Sequence, residues 1–304
     1  MHVEMVSTET RDGLQLDGVL SEPGEEIVQS LALDGLLFLH GVGGNFYGGR
    51  LFPPLMQRMQ QLGLAVLRVN TRGHGSVNIV AGRRGAIRQG AAYEVVDDAR
   101  HDIDAWLNFL GERGLRRIGL LGHSLGAVKA VFTQAHEPHR YVSALLAISP
   151  PRLSYQAFLS GNDRELFLPS LNAAQELVAA GESETLFNAN YPLPLLISAG
   201  SFLDKYGPGE RYDILQFLPQ LQVPTLFVYG SREVESPRSA FQGLPQLLKQ
   251  HQPSLLDMEV AVVPNADHFY TGVQSLLADQ ITQWLNARWS TQKPIQHGTA
   301  DQAK

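Results

Sequence analysis

The chain has 304 residues, 44% of them hydrophobic and 18% charged, with a formal net charge of −6. That is ample length for a substantial core, and the acidic balance leaves no basic footprint for nucleic acid. Cysteine is absent, which excludes disulfides, cysteine nucleophiles and thiolate metal sites. The opening Met1-His2-Val3-Glu4-Met5 lacks a charged segment followed by an apolar one, and no apolar run reaches the roughly 18 residues of a membrane span. A cytoplasmic protein with no membrane partner is expected.

Residues 2–8 and 13–20 read as two antiparallel strands, with Val3, Met5, Leu14, Leu16 and Leu20 nearly alternating about the turn Arg11-Asp12-Gly13. Leu36 to Leu39 is an uninterrupted apolar run, as in a strand covered on both faces. It leads into His40-Gly41-Val42-Gly43-Gly44-Asn45. A glycine-rich loop after a strand either cradles phosphate or brings N–H groups to a developing oxyanion. The phosphate templates fail, because Phe46 stands where G-x-G-x-x-G needs glycine and no Gly-Lys-Ser/Thr follows. The oxyanion reading remains, with the backbone N–H of Val42 as one donor and that of Leu125 as the other.

Leu51 to Leu62 carries a helical stripe closed by Gly63, and Ala65 to Val69 is the next buried strand. His74, in the following turn, reads as a packing or hydrogen-bonding residue rather than a base. Residues 77–92 read as a long polar loop that lines or covers a pocket. Tyr93 to Leu110 is an amphipathic helix. Its Asp97, Asp98, Asp102 and Asp104 match no metal-binding loop and read as a solvated face.

Ile118 to Leu121 is a buried strand, and a helix begins at Ala127. Between them lies Gly122-His123-Ser124-Leu125-Gly126, a G-x-S-x-G in the strand–turn–helix context that lifts a serine oxygen clear at a strand tip. Glycines flank Ser124 because side chains there collide as the chain reverses. His136-Glu137-Pro138-His139 lacks the H-E-x-x-H spacing and reads as a helix-ending turn, so no metal is expected. Val142 to Ile148 is a further strand.

Residues 151–221 leave the strand–helix rhythm, with helical patterns interrupted by Pro169, Pro192, Pro194, Pro208 and Pro219. They read as a helical cap inserted beside the serine, its Tyr155, Phe158, Phe187, Tyr191 and Phe202 roofing an apolar pocket. The core, begun over residues 1–150, resumes over 222–289. Pro224 to Tyr229 is a strand ending in Gly230-Ser231-Arg232-Glu233-Val234-Glu235, Ser239 to Gln250 a helix, and Met258 to Val263 the last strand. The loop Pro264-Asn265-Ala266-Asp267-His268-Phe269-Tyr270 and a helix over 276–289 close it, and residues 290–304 read as a disordered tail.

A serine, a carboxylate and a histidine thus follow successive strands in the order expected of α/β-hydrolases. From about residue 12 to 289 the chain resembles that superfamily, as a capped serine hydrolase of the esterase type. The residues that carry the resemblance are His40-Gly41-Val42-Gly43-Gly44, Arg72-Gly73-His74-Gly75, Gly122-His123-Ser124-Leu125-Gly126, Gly230-Ser231-Arg232-Glu233 and Ala266-Asp267-His268-Phe269. The resemblance implies an α/β fold: an eight-stranded, mostly parallel sheet with helices on both faces. It implies Ser124 as nucleophile, His268 as base and Glu233 as the acid that orients the histidine, with no cofactor and no metal. Glu stands where most relatives have Asp, so Glu235 and, less strongly, Asp204 are rivals for the acid. The implied substrate is a small-molecule carboxylic ester. An amide, thioester, lactone or carbon–carbon bond, or a binding role without turnover, are the alternatives. Haloalkane and epoxide chemistry would need an aspartate at position 124.

Overall fold

A computed structural model of the chain describes residues 2–83 and 85–291. The N-terminal alternation becomes a hairpin. β1 (His2–Glu9) and β2 (Gln15–Glu22) pair antiparallel about a turn in which Gly13 takes φ +89°. The apolar runs then give β3 (Gly35–Leu39), α1 (Phe52–Gln61) and β4 (Ala65–Val69). Where the sequence reads as a polar loop over 77–92, the chain forms a second antiparallel hairpin, β5 (Asn78–Gly82) with β6 (Gly85–Gln89). Only Val80 of this short pair is fully buried, so the alternation is too brief to register. The hairpin is held by the first one, through the Arg83 N–H to the Gly13 carbonyl at 2.8 Å.

α2 (Ala99–Glu112) begins later than the expected Tyr93, because Val95 is extended and a 3-10 turn over Val96–Asp98 precedes the helix. β7 (Ile118–His123), α3 (Leu125–His136) and β8 (Val142–Ile148) follow as expected. Residues 151–221 hold α4 (Tyr155–Ser160), α5 (Arg164–Ala179), the antiparallel pair β9 (Leu186–Ala189) and β10 (Leu195–Ser198), and α6 (Ala199–Tyr206). The insertion expected to be helical thus holds three α-helices and, in addition, a short antiparallel strand pair. Pro192 and Pro194 fall in the connection between β9 and β10, where a missing N–H costs no ladder bond. Pro169, read as a breaker, lies within α5.

β11 (Thr225–Gly230), α7 (Ser231–Val234), α8 (Leu244–Gln250), β12 (Met258–Val263) and α9 (Gln274–Trp289) complete the chain. α8 starts at Leu244 rather than Ser239, after Gly243 at φ +66°. The tail expected over 290–304 lies, from residue 292 on, outside the described residues.

The sheet has eight strands in the order β1-β2-β4-β3-β7-β8-β11-β12. β2 is antiparallel to both neighbours, and the pairs from β4 to β12 are parallel. Every residue of β3, β7 and β11 is buried. Leu36 and Phe38 pack with Leu55, Met59, Ile281 and Trp284 of α1 and α9. Leu37 and Leu39 pack with Ile103, Trp106, Val128 and Val131 of α2 and α3. Helices on both faces are why these strands read as continuous apolar runs rather than alternating ones. Pairing of Leu39 with Gly122, Gly122 with Ala147, and Gly230 with Val263 brings the loops after β3, β7, β11 and β12 out along one edge. That edge is where open α/β sheets hold ligands. No helix among the described residues is long and apolar enough to cross a membrane.

Candidate active site

Ser124 follows β7 directly and is forced into φ 56°, ψ −125°, a conformation costly for a residue with a side chain. Its surroundings over-determine it. The Ser124 N–H donates to the Ile148 carbonyl at 2.8 Å, and the Ser124 carbonyl accepts from Ala127 N–H at 2.9 Å. A Cβ on Gly122 would strike the Gly126 carbonyl, and one on Gly126 would strike the carbonyl oxygens of Leu39 and His40. Only glycine lets α3 leave this close to β3 and β7.

His268, on the loop after β12, lies between two partners. Its Nε2 is 3.0 Å from Ser124 Oγ and its Nδ1 is 2.8 Å from Glu233 Oε2. With the proton on Nδ1 donated to the carboxylate, Nε2 is free to accept from the serine hydroxyl. Glu233 is buried at 7% exposure, and its other oxygen accepts from Gly230 N–H at 2.7 Å and from Ser149 Oγ. Ser149 Oγ also meets Tyr270 OH at 3.0 Å, and that phenol donates to the Val228 carbonyl at 3.1 Å. The one-turn helix α7 bends the Glu233 side chain back over Gly230, which accommodates its extra methylene.

The rival acids lie elsewhere. Glu235 is exposed. Asp204 accepts from Tyr212 OH at 3.0 Å and pairs with Arg211. Asp267 accepts from Phe269 N–H at 3.0 Å and Thr271 N–H at 2.9 Å within its own loop.

The loop after β3 packs onto the serine. A Cβ on Gly41 would sit 3.1 Å from Ser124 Cβ. The Gly41 carbonyl accepts from Gly44 N–H at 3.1 Å and from His40 Nδ1–H at 2.7 Å. Carbonyl and N–H of one trans peptide point oppositely, so these two bonds set the direction of the Val42 N–H. Val42 and Leu125 both line the cavity, and among the described residues neither N–H has a protein acceptor.

Two buried histidines, His40 and His123, support the site; both lie in the motifs read from the sequence, which gave neither of them a role of its own. His40 Nε2 accepts from Thr71 N–H at 3.1 Å, and burial, reinforced by the Lys129 charge, pushes its pKa down to about 3. His123 Nε2–H donates to the His268 carbonyl at 2.8 Å. Burial, reinforced by the neighbouring His268, pushes it also to about 3. Both rings are therefore neutral at physiological pH and act as fixed struts. A buried charge network adjoins them. Lys129 Nζ donates to Thr71 Oγ1 at 2.9 Å and pairs with Glu94, whose other oxygen lies 3.6 Å from Lys205 Nζ on α6. The lysines and the glutamate are fully buried apart from 2% exposure of Lys205, and their long spacing in the chain gave no hint of the contact.

Other readings are settled by contacts. His74 Nδ1 is 2.9 Å from the Thr71 carbonyl, a turn contact away from the serine. Asp102, read as part of a solvated face, is instead fully buried and accepts from Arg72 Nη2 at 2.8 Å and Arg72 N–H at 2.8 Å. The correction has a simple cause: the guanidinium that neutralises it comes from a loop thirty residues away in sequence.

Above Ser124 and His268 is a cavity of about 1040 Å³. The inserted segment contributes Leu153, Tyr191, Leu193 and Tyr206 to its lining. Of the aromatic residues expected as a roof, Phe158 and Phe202 are fully buried within the segment's own core, where Phe158 packs on Phe167 at 5.1 Å and Phe202 on Phe187 at 5.5 Å. Tyr155 and Phe187 do not line the cavity either, so Tyr191 alone of that set reaches it.

A mostly parallel sheet with a strained serine between β7 and α3, at the edge where its loops converge, is the architecture of an α/β hydrolase. The chain belongs to the alpha/beta hydrolase family, whose model matches residues 36–280. Solved structures share the whole fold. Est1E from Butyrivibrio proteoclasticus is 15% identical, with 93% of this chain and 98% of that one covered at a TM-score of 0.61. The α/β hydrolase GrgF from Penicillium sp. sh18 is 16% identical, covering 94% and 99% at 0.67. A soluble variant of monoglyceride lipase from Saccharomyces cerevisiae is 15% identical, covering 96% and 97% at 0.64. At such identities the likeness is one of fold. No curated protein matches the chain.

Proposed function

We propose that this protein is a serine hydrolase that cleaves a carboxylic ester through an acyl-enzyme intermediate. The observation that carries the reading is the His268 ring, 3.0 Å from Ser124 Oγ on one side and 2.8 Å from Glu233 on the other, beneath a large cavity. A free serine hydroxyl is a weak nucleophile, so His268 Nε2 takes its proton as Oγ bonds to the ester carbonyl carbon. The carbonyl π pair moves onto oxygen, and Glu233 stabilises the imidazolium that forms. The oxyanion is held by the N–H groups of Val42 and Leu125; one such donor is worth about 3 kcal/mol of barrier. Collapse re-forms the carbonyl and expels the alkoxide, which takes the proton from His268. Water, deprotonated by the same imidazole, attacks the acyl-enzyme in the second half-reaction and releases the acid. No metal or organic cofactor enters these steps.

In this reading residues 151–221 are a cap that excludes water and sets substrate shape, mounted on a core of residues 1–150 and 222–289. Solved α/β hydrolases of similar fold include an esterase domain from Rhodothermus marinus and an esterase from Pyrococcus furiosus, so the fold accommodates ester hydrolysis.

Labelling with a fluorophosphonate probe, read by intact mass and peptide mapping, tests the proposal. Wild type should give one adduct, on Ser124, and Ser124→Ala none. Short para-nitrophenyl esters should be hydrolysed by wild type and not by Ser124→Ala. Equal turnover by both would reject the reading, and matched amides should react far more slowly than the esters.

A further inference from the structure

The cavity over Ser124 has a cationic part as well as an apolar one. Arg50 comes from the loop between β3 and α1, Arg232 from α7, and Arg238 from the segment that follows α7. All three are exposed and line the cavity. Elsewhere guanidinium groups are mostly matched: Arg72, Arg117, Arg152, Arg211 and Arg288 each meet a carboxylate. Among the described residues, Arg50 and Arg238 make neither an ion pair nor a side-chain hydrogen bond.

The carboxylates of the lining do not answer this charge. Glu233 is committed to His268, Gly230 and Ser149. Asp267 interacts with Arg232 but already accepts from two backbone N–H groups of its own loop. A chain of net charge −6 thus keeps unmatched positive charge in the lining of the cavity over Ser124. An apolar-walled cleft concentrates such a field. Guanidinium forks bind planar oxyanions through paired N–H donors.

We propose that the substrate is an amphiphilic ester whose non-reacting end carries a carboxylate or phosphate, held by Arg50 and Arg238 with Arg232 alongside, its apolar part lying against Tyr191 and Leu193. The inference rests on the ester-hydrolase reading and specifies its substrate class.

Matched esters test it. Para-nitrophenyl hexanoate is compared with the para-nitrophenyl monoester of adipic acid, which places a carboxylate on the acyl side. Phenyl hexanoate is compared with its para-carboxyphenyl and para-phosphonooxyphenyl counterparts, which place the anion on the alcohol side. Each rate is divided by that ester's hydroxide-catalysed rate. Wild type should favour at least one anionic ester over its neutral partner by about tenfold in kcat/KM, and the winning ester identifies the oxyanion and its side. That ratio should fall about tenfold in the Arg50→Gln, Arg238→Gln double variant, and should fall with added salt. An equal or neutral-favouring ratio in wild type, or a ratio the double variant leaves unmoved, overturns the proposal while the hydrolase reading stands. Calorimetric titration of Ser124→Ala with the same esters reads the preference as a Kd ratio without turnover. Should wild type hydrolyse none of the esters, the hydrolase reading fails and the Kd ratio decides alone. Tighter binding of an anionic ester upholds the cationic subsite, and equal binding removes it.

Discussion

Glu233 illustrates how a side chain one methylene longer than usual can reach the same place. Its carboxylate is fixed at both oxygens, by His268 on one and by Gly230 N–H and Ser149 on the other, so it is aimed rather than merely near. Glu233→Gln should lower kcat on a para-nitrophenyl ester by roughly 10³- to 10⁴-fold, since the amide favours the wrong imidazole tautomer. Glu235→Gln should leave kcat within about twofold, because an exposed side chain outside the network contributes nothing to that tautomer. The buried histidines carry a separate expectation. His40 and His123 titrate near 3 in the folded chain, against about 6.5 when unfolded. Below pH 6.5 the unfolded state therefore binds more protons than the folded one, and stability falls as pH drops toward 3. The slope is about 1 kcal/mol per pH unit for each ring. Urea midpoints measured from pH 7 to pH 5 should decline, and His123→Gln should flatten part of the decline.

At the scale of elements, the position of α3 depends on two glycines and one buried carboxylate. Gly126→Ala places a methyl against the carbonyl oxygens of Leu39 and His40 and forces α3 away from β3. Fluorophosphonate labelling should be lost or slowed even in the fraction of protein that remains folded by circular dichroism. Glu94 lies between Lys129 of α3 and Lys205 of α6, so it ties the inserted segment to the helix that follows Ser124. Burial together with unequal counting of charges makes the responses to losing Glu94 and to losing Lys205 differ. Glu94→Gln strands two buried ammonium groups and should cost about 3–5 kcal/mol in urea unfolding. Lys205→Met leaves a neutral Lys129–Glu94 pair; because burial already pulls the Lys205 pKa down, its loss should cost much less.

For the molecule as a whole, the cavity exists only because loops from four strands and the inserted segment meet over one edge of the sheet. Leu193 is 40% exposed and lines that cavity, so a larger side chain there fills space without disturbing a core. Leu193→Trp should reduce kcat/KM for a hexanoate ester about tenfold more than for an acetate ester, with the unfolding midpoint nearly unchanged. An equal reduction for both chain lengths would place Leu193 outside the path of the acyl chain.

Local chemistry made much of this legible from the chain alone. Continuous apolar runs such as Leu36–Leu39 and Ile118–Leu121 announce doubly covered strands, because helices on both faces remove the need for alternation. The glycines around Ser124 announce a forbidden turn, because only they survive the backbone contacts it brings. The family and the mostly parallel eight-stranded sheet follow from such signals. What the sequence left open depends on contacts between residues far apart in the chain. Glu233, Glu235 and Asp204 are equivalent as letters, and only the bend of α7 brings one of them to His268. Asp102 reads as a surface charge until Arg72 reaches it from another loop, and Phe158 and Phe202 read as pocket residues until they pack on each other's neighbours. The β9–β10 and β5–β6 hairpins are too short for periodicity to show. A chain thus determines by itself whatever its local sterics and patterning dictate, while burial of a charge or an aromatic ring is decided by the partner that folding brings to it.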